Sequence, residues 1–565
     1  MSRAWILAVI LLDLTFAPSA LRAATDPVSL ETIARDDWTR AAAAHLLRRA
    51  GFGGTPAEID HLLALGLDGA VDSLVEFTQT PYDDPPPAIP EALRERPDRA
   101  ERSELSEEQR RREIEERLQQ ERRALEAVRL WWIRRMVESP RPFEERMTLF
   151  WHGLFTSGAR EVKRAEFMLE QNEFLRRHAL DPFRDLLVGI AKDRAMLVYL
   201  DGVRNRKEQP NENFARELME LFTLGVGNYT EQDVKEAARA FTGWSFDEDG
   251  FIFRARAHDD GVKTVLKKTG RLDGTDVIDA ILDQPAASRH LARKLLEHFV
   301  RPDPDRRLVE SFAAVIRREQ FRLRPIMKRL FKSQAFYDPG ARGALVKSPV
   351  DVVVGTARTL GVPIVGLLEA ERAMAQMGQA LMQPPNVKGW DGGESWINTA
   401  TLYTRHNAVG PLIYGGEARS LRRDESPSPL RDRIREGLLS ATRASEALQP
   451  DEPPRKRAPS GGNGASMKAE RPTQAASQPS GAESRQPMFD PVLWLTERNL
   501  RSPEQVVDFL AEHLLATKLP PEKRQLLVDY LRANEKRFDA TARRTADRIR
   551  RTMHLICSTP EFQVY

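Results

Sequence analysis

NENFARELMELFTLG, residues 211–225, decides how the chain is read. On a helix of 3.6 residues per turn, Phe214, Leu218, Leu221 and Phe222 fall on one apolar stripe, and Asn213, Glu217 and Glu220 run along its edge. A half-buried strand would alternate with a period of two, and this stretch does not. The same helical spacing recurs on both sides of it, while convincing alternating strands are scarce. The expected fold is therefore mainly α, a multi-helix assembly with irregular loops. Carboxylates at the rim of an apolar stripe are costly to desolvate unless a cation, a metal or a substrate meets them, which makes Glu217 and Glu220 the first candidate functional groups.

Charge and termini narrow the classes. Lys plus Arg is 86 against 83 for Asp plus Glu in 565 residues, and no concentrated basic face stands out, so no nucleic-acid partner is expected. MSRAWILAVILLDLTFAPSALRAA has an early Arg3, an apolar run, Pro18 and a small-residue exit near Ala23. Residues 1–23 therefore read as a signal peptide, and the chain as exported, to the periplasm or the extracellular space. Asp13 breaks the run, and no other segment reaches the roughly 20 apolar residues of a span, so no membrane span is expected in the mature chain. The single cysteine, Cys557, has no partner for an intrachain disulfide.

Residues 24–425 read as the main helical domain. Within it, HLLRRAGFGGTP (45–56) joins two helices. Its GFGG invites a dinucleotide reading, but no strand precedes it and Pro56 stands where a third glycine belongs. Residues 81–104 are rich in Pro and charge and read as a surface loop. The following stretch to 138 reads as one long helix, solvated over its charged half and docked at its Trp131–Trp132 end. Residues 426–487 form a low-complexity linker, its second half too poor in large apolar side chains to order itself. A C-terminal helical segment, 488–565, follows. Its run from Pro503 parallels 288–336: each has a Glu-His pair (Glu297-His298, Glu512-His513), a Pro-containing turn, a second amphipathic helix and a closing Phe. Duplication and chance likeness between amphipathic helices both account for this.

No phosphate loop, nucleophile elbow, His-Glu-x-x-His or Cys-x-x-Cys occurs. Instead, polar and aromatic clusters follow one another: FWHGLF (150–155), NENFARELMELFTLGVGNYTEQDV (211–234), ARAFTGW (238–244), HDDGVK (258–263), PPNVKGW (384–390), WINT (396–399) and RHN (405–407). In this order, and with HLLRRAGFGGTP ahead of them, they closely resemble the bacterial family known as domain of unknown function 1800, over roughly residues 40–410. The resemblance implies no settled activity. It implies an exported protein working beside an exported partner of the alkaline phosphatase-like type. The chain departs from the family pattern at Phe222, where many relatives carry a histidine.

Three chemistries fit these clusters. In the first, His152, Glu217, Glu220, His258 and Asp259 hold a divalent metal, since imidazole and carboxylate suit zinc, manganese or iron. In the second, a polysaccharide binds or is hydrolysed. Trp244, Trp390 and Trp396 stack on sugar rings, Asn386, Lys388 and Asn398 take hydroxyls, and Glu217 or Glu220 works with Asp259 as the acid and base pair. In the third, the clusters are structural. Asn211, Asn213 and Asn398 satisfy backbone groups, Arg216 or Lys263 neutralises the glutamates, Arg405 pairs with Glu217 or Glu220, and an outer surface engages a partner protein. The third reading is favoured, because no familiar catalytic constellation is present.

Overall fold

The computed structural model describes residues 29–94, 105–415, 489–532, 538–539 and 543–565. The expected signal peptide and linker lie outside the described residues. The protein is mainly α, with two two-stranded antiparallel sheets among the described residues.

The chain enters through α1 (Arg40–Gly51) and α2 (Pro56–Val75). Thr55 and Glu58 form a reciprocal cap and Pro56 opens α2, while Phe52, in the left-handed region at φ 64°, ends α1. The intervening glycines serve packing. A Cβ on Gly53, at φ +100°, would lie 2.6 Å from Thr359 Oγ1. The long helix α3 (Glu107–Glu138) is capped by Ser106, and its buried residues all lie from Glu121 onward. The docked half is thus the Trp131–Trp132 half. Arg358 caps its far end, donating to the carbonyls of Val137 (2.8 Å) and Ser139 (3.0 Å).

At the centre, α4 (Pro142–Leu154) is buried from Pro142 to His152 and lies beside α5 (Ala165–Arg177). Glu145, fully buried, accepts from Arg135 Nε at 2.6 Å, Arg176 Nε at 2.7 Å and Trp132 Nε1 at 3.0 Å, so one carboxylate ties α3, α4 and α5 together. Burial alone would raise the Glu145 carboxyl; Arg176 and Arg135 hold it below the usual carboxylate range. A second buried pair, Arg146 with Asp351 at 2.7 Å, fastens α4 to a later helix.

After the stretch 213–223 comes α6 (Glu231–Ala240), with a reciprocal Thr230–Asp233 cap. Two hairpins follow, β1 (Trp244–Asp247) with β2 (Gly250–Phe253), and β3 (Lys263–Val265) with β4 (Lys268–Gly270). The helical run then continues through α7 (Pro285–Phe299), α8 (Arg306–Arg318), α9 (Leu323–Lys332), α10 (Pro349–Leu360) and α11 (Thr399–Tyr414).

The C-terminal segment is built of α12 (Pro503–Leu514), α13 (Pro521–Arg532) and α14 (Arg543–Cys557). It is packed on the main body. Val352, Leu360, Val409 and Ile413 share a core with Val506, Leu510, Ile549, Met553 and Phe562. His513 Nε2 meets Thr359 O at 3.0 Å, and Tyr565 N donates to Leu345 O at 2.9 Å. The succession α7, α8, α9 and a short closing helix (Gln334–Tyr337) parallels α12, α13, α14 and the closing turn Pro560–Gln563.

Glu145→Gln removes the charge that two buried guanidinium groups share. Breaking a buried pair on one side costs about 3–5 kcal/mol. Urea unfolding of this variant is expected to show that loss as a lower midpoint with an unchanged slope.

Candidate functional site

The 211–225 stretch is helical, but not uniformly so. An α-helical turn (Asn213–Glu217) passes into a π-helical turn (Leu218–Thr223), marked by Leu224 N donating to Met219 O at 2.8 Å. The widened turn leaves Leu221 O to hydrogen-bond with His290 Nε2 at 2.9 Å. Phe222 is buried edge-on to Phe155.

On the rim of this turn, Glu217 has no hydrogen bond or ion pair with any described residue. Burial, then the neighbouring Glu220, raises its carboxyl above the usual range. Glu220 accepts from Tyr229 Oη at 2.7 Å, and burial with that bond pushes the Tyr229 phenol up to about 12. Tyr199 is also raised, by burial, then by the nearby carboxylates of Glu161 and Glu217. The expected neutralisers are engaged elsewhere. Arg216 pairs with Glu212 at 3.0 Å and Glu231 at 2.7 Å. Lys263 donates to the carbonyls of Asp259 and Gly261. Asn211 does satisfy backbone, its Oδ1 accepting from Asn213 N at 2.9 Å, while Asn213 contributes only that backbone donor; Asn211 N in turn donates to Asn205 Oδ1 at 2.9 Å.

HDDGVK is a clasp over α6. Asp259 receives Arg239 through both oxygens, at 2.7 and 3.2 Å, and the Arg239 hydrogen bonds hold its carboxyl below the usual range. Its backbone N donates to Thr242 Oγ1 at 2.8 Å, while His258 Nδ1 lies 2.8 Å from Thr242 O. A carbonyl can only accept, so Nδ1 carries the proton there. Trp244 packs edge-on against Phe241 and Phe251 at the base of the first hairpin, and is buried.

PPNVKGW lies on the end of α4. His152 is buried, its Nε2 accepts from Met382 N at 3.1 Å, and burial lowers it to about 4. Trp132 and Trp390 pack beside its ring at 5.3 and 5.7 Å. A Cβ on Gly389, at φ +88°, would meet Gly153 O at 2.7 Å, so the loop can lie this close only with glycine there. Asn386 Oδ1 accepts from Lys388 N, and the exposed Lys388 pairs with Asp391 at 3.2 Å. Trp396 is buried, and Asn398 caps α11 through Thr401 N. Arg405 does not reach Glu217 or Glu220. It is buried against the C-terminal segment, donating to Gln563 Oε1 at 3.1 Å and Lys347 O at 2.8 Å.

The five expected metal ligands thus divide into three groups: His152 between tryptophans, Glu217 with Glu220, and His258 with Asp259. Among the described residues no cluster of three or more His, Cys, Asp or Glu side chains is placed to hold a metal ion. The opposed acid and base pair also changes character, since Asp259 is held as an Arg239-bound anion. Sequence reasoning missed Tyr199, Tyr229, Arg239 and Trp132. Tyr229 and Arg239 stand inside the motifs NYTEQDV and ARAFTGW, so their position was visible and their partners were not.

Burial lowers His45, His152, His290, His298, His406, His513 and His554 alike. These rings stay neutral in the fold and charge in the unfolded chain near pH 6.5. Their contribution is complete above that pH and is lost as pH falls toward about 4, each by up to about 1.4 kcal/mol per pH unit. Calorimetry from pH 7.5 to 4.5 is expected to show the melting temperature falling steeply below about pH 6.5.

Among the described residues, no helix is long and apolar enough to cross a membrane. No curated protein and no solved structure matches the chain. The family described as protein of unknown function (DUF1800) matches residues 45–564, nearly the full length, and the chain belongs to that family.

Proposed function

We propose that this protein is an exported helical scaffold that acts in the cell envelope or outside the cell beside another exported protein. One observation supports this reading above others. The polar residues of the motif clusters are mostly engaged within the fold: Asp259 on Arg239, His152 on Met382 N, Asn398 on Thr401 N and Arg405 on Gln563. Polar groups satisfied in this way specify a rigid body, and leave binding to its outer surface. The leader-like residues 1–23 favour export, and the family resemblance favours an alkaline phosphatase-like partner. The test is affinity capture from an envelope fraction with the full-length chain. A stoichiometric exported partner, with a captor whose N-terminus begins near Ala24, is expected; recovery only from the cytoplasm with residues 1–23 attached would refute it.

A glycan-hydrolysing reading has one observation in its favour. Glu217 is a half-buried carboxyl, raised by burial and by Glu220, with no ion pair among the described residues, as a proton donor to a glycosidic oxygen requires. On that reading Glu217→Gln abolishes reducing-sugar release from envelope polysaccharide, by at least a hundredfold, with an unchanged melting temperature. Absence of release by the wild-type chain removes this reading.

A further inference from the structure

The motif HLLRRAGFGGTP, which the scaffold reading leaves unused, borders a cleft of about 490 Å³ between α1 and the α12–α13 hairpin. The volume suits a small molecule. His45 lines it and is only 1% exposed. Its Nε2 lies 2.9 Å from Phe336 O, so that nitrogen carries the proton and Nδ1 is a lone-pair acceptor. Nδ1 is buried and has no hydrogen-bond partner among the described residues. Arg342 lines the same cleft, with a buried unpartnered Nε and no ion pair to a described residue. A buried donor and a buried acceptor left unmatched in one cavity are costly unless water or a ligand meets them, and a ligand that meets both displaces that water.

The remaining charges set the sign of that ligand. Of the acids in the wall, Asp508 is bound to Arg524 at 2.5 Å and Glu512 to Arg40 at 3.4 Å. Arg48 donates through Nη2 to the carbonyls of Glu512 and His513, at 3.0 and 2.9 Å, and forms no ion pair with a described carboxylate, although the nearby Glu512 favours its charged form. With Arg342 and Lys518, three cations face the cleft without a carboxylate partner.

We propose that this cleft binds a small hydroxylated anion of monosaccharide size, a sugar acid or a sugar phosphate. Its anionic group lies against Arg342, with Arg48 and Lys518 adding positive potential, and one of its hydroxyls donates to His45 Nδ1. The site is independent of Glu217 and of the outer partner surface, and goes beyond the scaffold reading. A neutral imidazole suits it, since a charged ring would lack the acceptor; burial, with Arg49, Arg342 and Arg48 nearby, keeps His45 uncharged.

Isothermal titration calorimetry on the full chain tests this with glucuronate, glucose 6-phosphate, glucose and propanoate. Binding of glucuronate alone assigns a carboxylate, and binding of glucose 6-phosphate alone assigns a phosphate; binding of both assigns the shared chemistry. Glucose, lacking the charge, and propanoate, lacking the hydroxyls, are expected to bind at least tenfold more weakly than the preferred anion. Arg342→Gln, which breaks no hydrogen bond in the fold, is expected to weaken that anion at least tenfold with an unchanged melting temperature, and Lys518→Gln to weaken it less. The proposal fails if neither sugar anion binds at millimolar concentration, if propanoate binds as tightly as they do, or if Arg342→Gln binds like the wild type.

Discussion

Glu145 is the point on which the architecture turns. A carboxylate at zero exposure is tolerated because Arg135, Arg176 and Trp132 converge on it from the two flanking helices. Each desolvated charge would be prohibitive alone, and together they admit one arrangement of α3, α4 and α5. That arrangement aims the end of α4 at the PPNVKGW loop and so fixes where His152 and Trp390 meet. Arg146, the next residue, performs the same task toward α10 through Asp351. Two consecutive residues of one helix thus anchor it in two directions, and the polar loops are laid over a frame that is already rigid.

This frame explains why the motif residues look functional in sequence and are largely internal in space. A loop such as HDDGVK has too little apolar surface to hold itself down. It is secured by Asp259 on Arg239, by His258 on Thr242 O and by Lys263 on two carbonyls. The PPNVKGW loop is secured by the Gly389 approach to Gly153 O and by Thr156 Oγ1 donating to Val387 O at 2.5 Å. Glu217 is the exception, a half-buried carboxyl without such a bond, and it lies where the helix widens into a π turn. Widened turns of this kind are frequent at functional sites.

The helical class was legible because apolar spacing is local: Phe214, Leu218 and Phe222 repeat every four residues whatever surrounds them. The backbone role of Asn398, and the docked Trp131–Trp132 half of α3, were legible for the same reason. The π turn was not. The carbonyl it frees, Leu221 O, is met by His290 from a helix some seventy residues away, and no periodicity within 211–225 records that. Pairing failed in the same manner. Arg405 finds Gln563 across 158 residues, and Arg216 finds Glu231 rather than its helical neighbour Glu217. Sequence spacing shows which side chains share a face, but not which distant cation reaches them first.

The packing of the C-terminal segment has a consequence for how the chain is made. Arg48 on α1 bonds to carbonyls 464 and 465 residues later, and Val346 pairs with Val564. While a ribosome has delivered only the residues through α11, Val352, Leu360, Val409 and Ile413 form an apolar strip with nothing to cover it. These residues gain their cover only when α12 to α14 dock, so a chain that lacks those helices exposes an aggregation-prone surface.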